Sequence, residues 1–344
     1  MKSNLRNLSS FFLLVIVFFY GCKTDEPSDA TILPSNIITK ITIDKQGIKW
    51  IATEKGLVSY NGKIWKTYSN ESALSNKPIV SLFFDILSEN HQIWVGTNEG
   101  AVNTIISGQN LTVSNTYRQV NSSLLNDTVF SVASAANSVT YFGTPKGLSV
   151  LKNSVWTSYD GRWGNKSTDN FLTKKPISAI ATAKNGWNYV STKGGGVSRF
   201  KYADAVSGAT KYFQPWAFGL KSDTVFTVII VNDTCQWYGT TKGAAYHTSH
   251  NTKADWTSYS TVDGLICDTV YAIAQDAQGV VWFGTHRGVS KFQNATWTNY
   301  SKKDGLVADK VNTLAIDTDG SVWFGTDEGI SHFTNGIWEN FSKK

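Results

Sequence analysis

The stretch VWFGTHRGVSKF, from Val281 to Phe292, returns 41 positions later as VWFGTDEGISHF, from Val322 to Phe333. Self-similarity at a period of roughly 40–50 residues constrains a fold more than any other sequence feature. Aligned on the aromatic residue before Gly-Thr, the chain holds seven copies. They read KWIATEKGL at Trp50, IWVGTNEGA at Trp94, TYFGTPKGL at Tyr141, NYVSTKGGG at Tyr189, QWYGTTKGA at Trp237, VWFGTHRGV at Trp282 and VWFGTDEGI at Trp323. Each is preceded by a Leu and, a few residues on, an apolar pair, as in LICDTVYAI at Leu265. Most are followed by two aromatics three apart, as at Trp65/Tyr68, Trp156/Tyr159, Trp256/Tyr259, Trp297/Tyr300 and Trp338/Phe341; this fourth segment is degenerate in copies two and four.

Each unit therefore holds four short apolar runs divided by turn signals. In copy six the runs are VYAIAQD, VVWFG, GVSKF and TWTNY. Asp276-x-x-Gly279 and Thr285-x-x-Gly288 separate the first three. Asp or Thr first and Gly fourth suits a type I turn with the Gly left-handed. Residues three apart on a strand face opposite sides, so Trp297 and Tyr300 point to opposite faces and both faces need cover. The 13 Trp, 14 Tyr and 18 Phe supply that cover. Seven such four-stranded units predict an all-β fold, a seven-bladed β-propeller of four-stranded antiparallel blades. The expected blades are residues 33–73, 74–123, 124–171, 172–219, 220–264, 265–305 and 306–344. All four strands of each blade come from one repeat, so no exchanged strand locks the ring. Trp338, Phe341 and the first blade are expected to hold the seam.

The unit I-x-x-I-x-x-D-x-x-G-x-x-W-x-G-T-x-x-G-L resembles the two-component regulator propeller repeat. The likeness is fullest at Ile38–Leu57, Val270–Val289 and Val311–Ile330, and coverage runs from about Leu33 to the C-terminus. The resemblance implies an extracytoplasmic sensing propeller of the kind found in hybrid histidine kinases that respond to glycans. This sequence has one set of seven copies with no transmembrane helix or kinase segment after them, so sensing would need a separate signalling partner.

The start of the chain is read as leader rather than fold. Lys2 and Arg6 precede the ten-residue apolar run FFLLVIVFFY, which is followed by Gly21-Cys22. A secretory signal is expected over residues 1–21, because a helix spanning a bilayer needs about 20 apolar residues. The ending resembles a bacterial lipoprotein signal, which implies lipidation of Cys22 and a tether over residues 22–32. KTDEP, from Lys23 to Pro27, resembles the export signal of Bacteroidetes surface lipoproteins, which implies the outer membrane and surface exposure. Losing Lys2 and Arg6 takes the formal charge from +6 to +4, scattered over the sequence. No nucleic-acid partner is expected, membrane contact is through the lipid alone, and a monomer is expected. Cys235 and Cys267 fall at opposite ends of a blade, so no disulfide is expected.

With the first strand of each blade innermost, the Thr-x-x-Gly turns and inter-blade linkers share one face, here called the top. Apolar letters are held by packing, whereas the turn tips are free to vary. The tips read Glu54-Lys55, Asn98-Glu99, Pro145-Lys146, Lys193-Gly194, Thr241-Lys242, His286-Arg287 and Asp327-Glu328. Lys242, His286, Arg287, Asp327 and Glu328 are the tip candidates for ligand contact. Two longer top-face linkers add Arg162 and Trp163, in YDGRWGNKSTDNF, and Trp216, in PWAFG. Aromatic faces beside polar groups suit sugar rings.

Converging catalytic groups are missing from the sequence. His91 belongs to a bottom turn, His247 and His250 to a loop after strand three of blade five, and His332 to a strand. His247-Thr-Ser-His250 lacks a third metal ligand, and Lys193-Gly-Gly-Gly196 reads as a bulge rather than an anion loop. No catalytic residue, metal or cofactor is assigned. The primary expectation is a binding or sensing module for a glycan or a protein. The alternatives are an enzyme of streptogramin-lyase or hydrolase type, using His286 with Asp268, Asp309 or Asp327, and a structural subunit of an outer-membrane complex.

Overall fold

The computed structural model describes residues 33–343 apart from Ser69 and residues 86–90, 136–137, 161–174, 202–210, 214–219 and 249–254. Its 28 strands, numbered β1 to β28 in chain order, form seven four-stranded antiparallel sheets, each of four consecutive strands. The first strands of the blades are β1 (Ile38–Ile43), β5 (Ile79–Asp85), β9 (Ser131–Ala135), β13 (Ile177–Thr182), β17 (Val225–Ile230), β21 (Val270–Gln275) and β25 (Val311–Ile316). Each packs against the first strand of the next blade, and β25 packs against β1. These seven strands are therefore the inner ring, and the propeller is closed. No helix among the described residues is long and apolar enough to cross a membrane.

The repeated letters are explained by local bonds. Thr285 Oγ1 donates to the Gly288 carbonyl at 2.8 Å and accepts from the Arg287 amide at 3.1 Å. Thr53, Thr97, Thr144, Thr240 and Thr326 make the same pair of bonds. Gly288 has φ +127°, and a Cβ there would lie 2.2 Å from the Tyr300 carbonyl oxygen. On the opposite face, Asp276 Oδ1 accepts from the Gln278 and Val280 amides at 3.0 and 2.8 Å. Asp44 does the same for Gln46 and Ile48, and its second oxygen accepts from Trp50 Nε1 at 2.9 Å.

Seven apolar clusters fill the seven junctions between neighbouring blades. Trp297 packs toward blade five, against Phe283 and Tyr259, whereas Tyr300 packs toward blade seven, against Trp282, Phe333 and Trp338. The fourth segment of copy two, degenerate in sequence, is an eight-residue strand, β8 (Asn110–Tyr117). Its Tyr117 packs on Trp94 and Trp156, which replaces the missing aromatic pair.

The seam between blades seven and one has no exchanged strand. Phe341 packs on Trp65 and Tyr60 across it, and on Trp323 of its own blade. Trp338, expected at the seam, instead faces blade six through Tyr300 and Phe324, because it lies three residues from Phe341 on the same strand. Polar bonds add to the closure. Asn312 Nδ2 donates to the Ile38 carbonyl at 3.0 Å, the Ile41 amide donates to Thr313 Oγ1 at 3.3 Å, and Lys49 pairs with Asp317 at 2.5 Å. Cys235 and Cys267 are free thiols, not joined in a disulfide.

Candidate functional site

The inner strands carry an irregularity that the repeat consensus hides. In six of the seven, pairing with the second strand slips by one residue directly after the first position. The residues passed over are Thr39, Val80, Ser178, Phe226, Tyr271 and Asn312; Phe130 holds the same place in blade three. A bulge of this kind leaves its residue outside the ladder and re-aims its side chain. Three of these residues reach across to the next blade. Thr39 Oγ1 donates to the Ile79 carbonyl at 2.5 Å, Ser178 Oγ donates to the Val225 carbonyl, and Asn312 bonds Ile38 as above.

Five of the bulge residues, with Phe130, line a cavity of about 200 Å³ at the top of the central channel. Val80, Phe130, Ser178, Phe226, Tyr271 and Asn312 form its wall, joined by Lys193 from the tip of blade four. Phe226 and Tyr271 pack at a centroid distance of 5.1 Å, and Lys193 Nζ stands 5.0 Å from the Phe130 ring centroid. The wall thus joins aromatic faces to an amine and an amide, a combination that suits an amphipathic ligand group.

Two of the predicted tip residues reach this wall. His286, exposed at its turn, places Nδ1 3.5 Å from Tyr271 Oη. Asp327 accepts from Asn312 Nδ2 at 2.7 Å and from Lys310 Nζ at 2.9 Å. Partial burial works against its ionisation, but the bonds from Asn312 and Lys310, with the charges of Lys310 and His286, outweigh it and lower its pKa. Glu328 turns away to pair with Lys302 at 2.8 Å. Arg287 and Lys242 are exposed and are not part of the wall. Arg162, Trp163, Trp216 and Cys22 lie outside the described residues, as do His250 and the leader.

Lys193 was visible as a tip, but the bulge column was missed. Its signal was present: the second residue of the inner strand reads Thr, Val, Phe, Ser, Phe, Tyr and Asn, beside a first residue that is always Ile or Val. A column that varies next to one that does not marks a side chain removed from packing.

The carboxylates considered for catalysis have other work. Asp268 Oδ1 accepts from the Thr261 amide and Asp309 Oδ1 from the Lys302 amide, both at 2.7 Å. These bonds hold the linkers between blades, which explains the Leu-x-x-Asp pattern, and Asp127 holds Gln119 in the same way. His247 is not in a loop. It is buried within β19 (Gly243–Thr248), where Nδ1 meets Gln236 Oε1 at 2.9 Å, and burial lowers its pKa to about 4. Among the described residues no group of three His, Cys, Asp or Glu could hold a metal ion. The extra residue at Lys193–Gly196 is accommodated by the Gly194 and Gly196 amides donating to the Asp223 carbonyl at 3.0 and 2.7 Å, which commits both donors.

The two-component regulator propeller family matches residues 264–287 and 305–328, each running from a linker glycine to the tip of a Thr-x-x-Gly turn. No curated protein matches the chain. Among solved structures, the extracellular domain of a putative one component system from B. thetaiotaomicron is similar, with 18% identity and a TM-score of 0.65. The likeness covers 88% of this chain and 39% of that one. Virginiamycin B lyase from Staphylococcus aureus is similar at 14% identity and a TM-score of 0.63, over 87% of this chain and 94% of the lyase. PorZ, a surface component of the type-IX secretion system of Porphyromonas gingivalis, is similar at 14% identity and 0.55, over 89% and 48%. At such identities the likeness is one of fold, and the chain spans about two fifths of the first of these proteins. Two stretches of the chain thus match the two-component regulator propeller repeat, and they lie in blades six and seven of a ring of seven like blades.

Proposed function

We propose that the chain is an exported propeller, anchored through a lipid on Cys22, that binds or senses a glycan or a protein at its top face. The observation that carries this reading is the bulge column. Five blades each turn a bulge residue into a common mouth, joined by Phe130 of blade three, and those side chains differ while the packing letters around them repeat. Arg162, Trp163 and Trp216 are proposed to extend the same face. The likeness to an extracellular domain of a putative one component system supports a sensing role outside the cytoplasm, with a separate partner carrying the signal. The commitment of Asp268 and Asp309 to linker amides weighs against the enzyme alternative.

The test is thermal unfolding of residues 31–344, which form one compact unit, against a panel of oligosaccharides. A ligand at a hundred times its dissociation constant adds about 2.7 kcal/mol. A shift with one glycan, abolished by Phe226→Ala or Tyr271→Ala, supports the mouth as the site. A shift abolished by Trp163→Ala alone moves the site to the blade-three loop. No shift with any glycan leaves the protein partner, sought by pull-down from membranes.

A further inference from the structure

Directly after the bulge, the inner ring holds a second column: Lys40, Ser81, Ser131, Ala179, Thr227, Ala272 and Thr313. Six of these are small. Where they carry hydroxyls, these tie blades together. Ser81 Oγ donates to the Val129 carbonyl at 3.1 Å, and Thr313 Oγ1 accepts the Ile41 amide at the seam. Lys40 stands alone as a long cationic side chain in this ring.

Lys40 sits on the innermost strand with blades packed on both sides and is half-buried. The solvent an innermost strand meets is the channel. Among the described residues no carboxylate comes within ion-pair distance of it. Burial alone acts on the amine, lowering its pKa, with no opposing charge to offset the effect. A half-buried ammonium without a partner is costly, and the same burial strengthens its pull on an oxyanion.

Lys193, at the mouth, also lacks a carboxylate partner among the described residues, and it stands over the Phe130 ring. The nearest acid in the wall's hydrogen-bond network, Asp327, is already matched by Lys310 and Asn312. The inner ring thus presents two cations without a carboxylate partner among the described residues, Lys193 in the cavity wall and Lys40 directly after the bulge of β1.

We propose that the central channel is an oxyanion site, taking the carboxylate or sulfate group of the ligand with Lys193 at the mouth and Lys40 within as its cations. This rests on the proposed ligand site at the same mouth and names the chemistry of what enters it: a uronic acid or a sulfate ester rather than a neutral sugar.

The experiment is calorimetric titration of the purified protein with sodium glucuronate, sodium sulfate and glucose at constant ionic strength. Glucuronate or sulfate is expected to bind and glucose to give no heat. Lys40→Met and Lys193→Met are each expected to weaken the anion about tenfold or more, the scale of a lost charged hydrogen bond. Lys40→Met removes an unpaired half-buried charge and is expected to keep or raise the melting temperature; Lys193→Met alters an exposed tip and leaves the fold intact. Binding of glucuronate alone assigns a carboxylate ligand, and binding of sulfate alone assigns a sulfate ester. Failure of both anions to bind overturns the proposal, as does unchanged affinity in Lys40→Met. A panel glycan that binds while both anions fail refutes the oxyanion site and leaves the glycan reading standing. Anion binding without any glycan shift does the reverse.

Discussion

Gly325→Ala tests how tightly the ring is drawn at the one junction that no linker crosses. A Cβ on Gly325 would lie 2.5 Å from Ile38 Cγ2, 2.6 Å from Thr313 Cγ2 and 3.0 Å from Ile38 Cβ, where ordinary contact begins near 3.4 Å. The two blades would have to separate by roughly 1 Å, because neither neighbour can turn aside. Ile38 is β-branched and fully buried, and Thr313 holds the Ile41 amide across the seam. Overpacking of this kind costs about 1–3 kcal/mol. At about 2.1 cal/mol/K per residue, a propeller of roughly 310 residues moves its melting temperature by about 1.5 °C for each kcal/mol, so a fall of roughly 2–5 °C is expected in a calorimetric scan. Gly284→Ala, at the linked junction of blades six and seven, meets Val311 Cγ1 at 2.8 Å and should cost less. Ala52 and Ser191 occupy the same position in blades one and four, so a Cβ is tolerable where the spacing has settled around it. If Gly325→Ala melts within about 1 °C of the wild type, the seam relaxes freely and the packing argument fails.

Removing residues 336–344 takes away β28 (Ile337–Phe341), with Phe341 from the seam and Trp338 from the junction with blade six. Cooperative loss of the whole propeller is expected by circular dichroism; retention of the wild-type melting temperature with only local loss would contradict it. His247 is held neutral by burial, with the Arg199 charge acting in the same direction and Asp255 opposing. Its folded pKa, about 4, lies below the ordinary 6.5, so the unfolded chain binds its proton first and stability falls as pH drops between those values. His247→Phe, the residue at this place in blades four, six and seven (Phe200, Phe292 and Phe333), is expected to flatten that part of the profile in urea titrations. An unchanged slope would show that His247 is not the group responsible.

Much of the architecture was legible because packing repeats. Trp297 and Tyr300 could be placed on opposite faces from their spacing, and the Thr and Gly of each tip from turn geometry, since both depend on neighbours a few residues away. His247 was misplaced because its loop-like letters, YHTSH, hide a strand that a Gln236 side chain and a neighbouring aromatic, Trp256, make hospitable. Trp338 does not reach the seam because the two faces of the last strand serve different blades: Trp338 meets Tyr300 and Phe341 meets Trp65.

The candidate site was less legible. His286 and Asp327 were chosen as free tips, and they reach the mouth only through Tyr271 and Asn312. Asp268 and Asp309 looked equally available until their linker bonds were seen. The number of blades, the strand order within them, the turns and the faces of the aromatics follow from short-range periodicity repeated seven times, and so can be read from the letters. Which side chains meet at the centre depends on how the blades close into a ring. A bulge in six of the seven inner strands helps to select them, and residues as distant in sequence as Ile38 and Asn312 become neighbours only when β25 closes against β1.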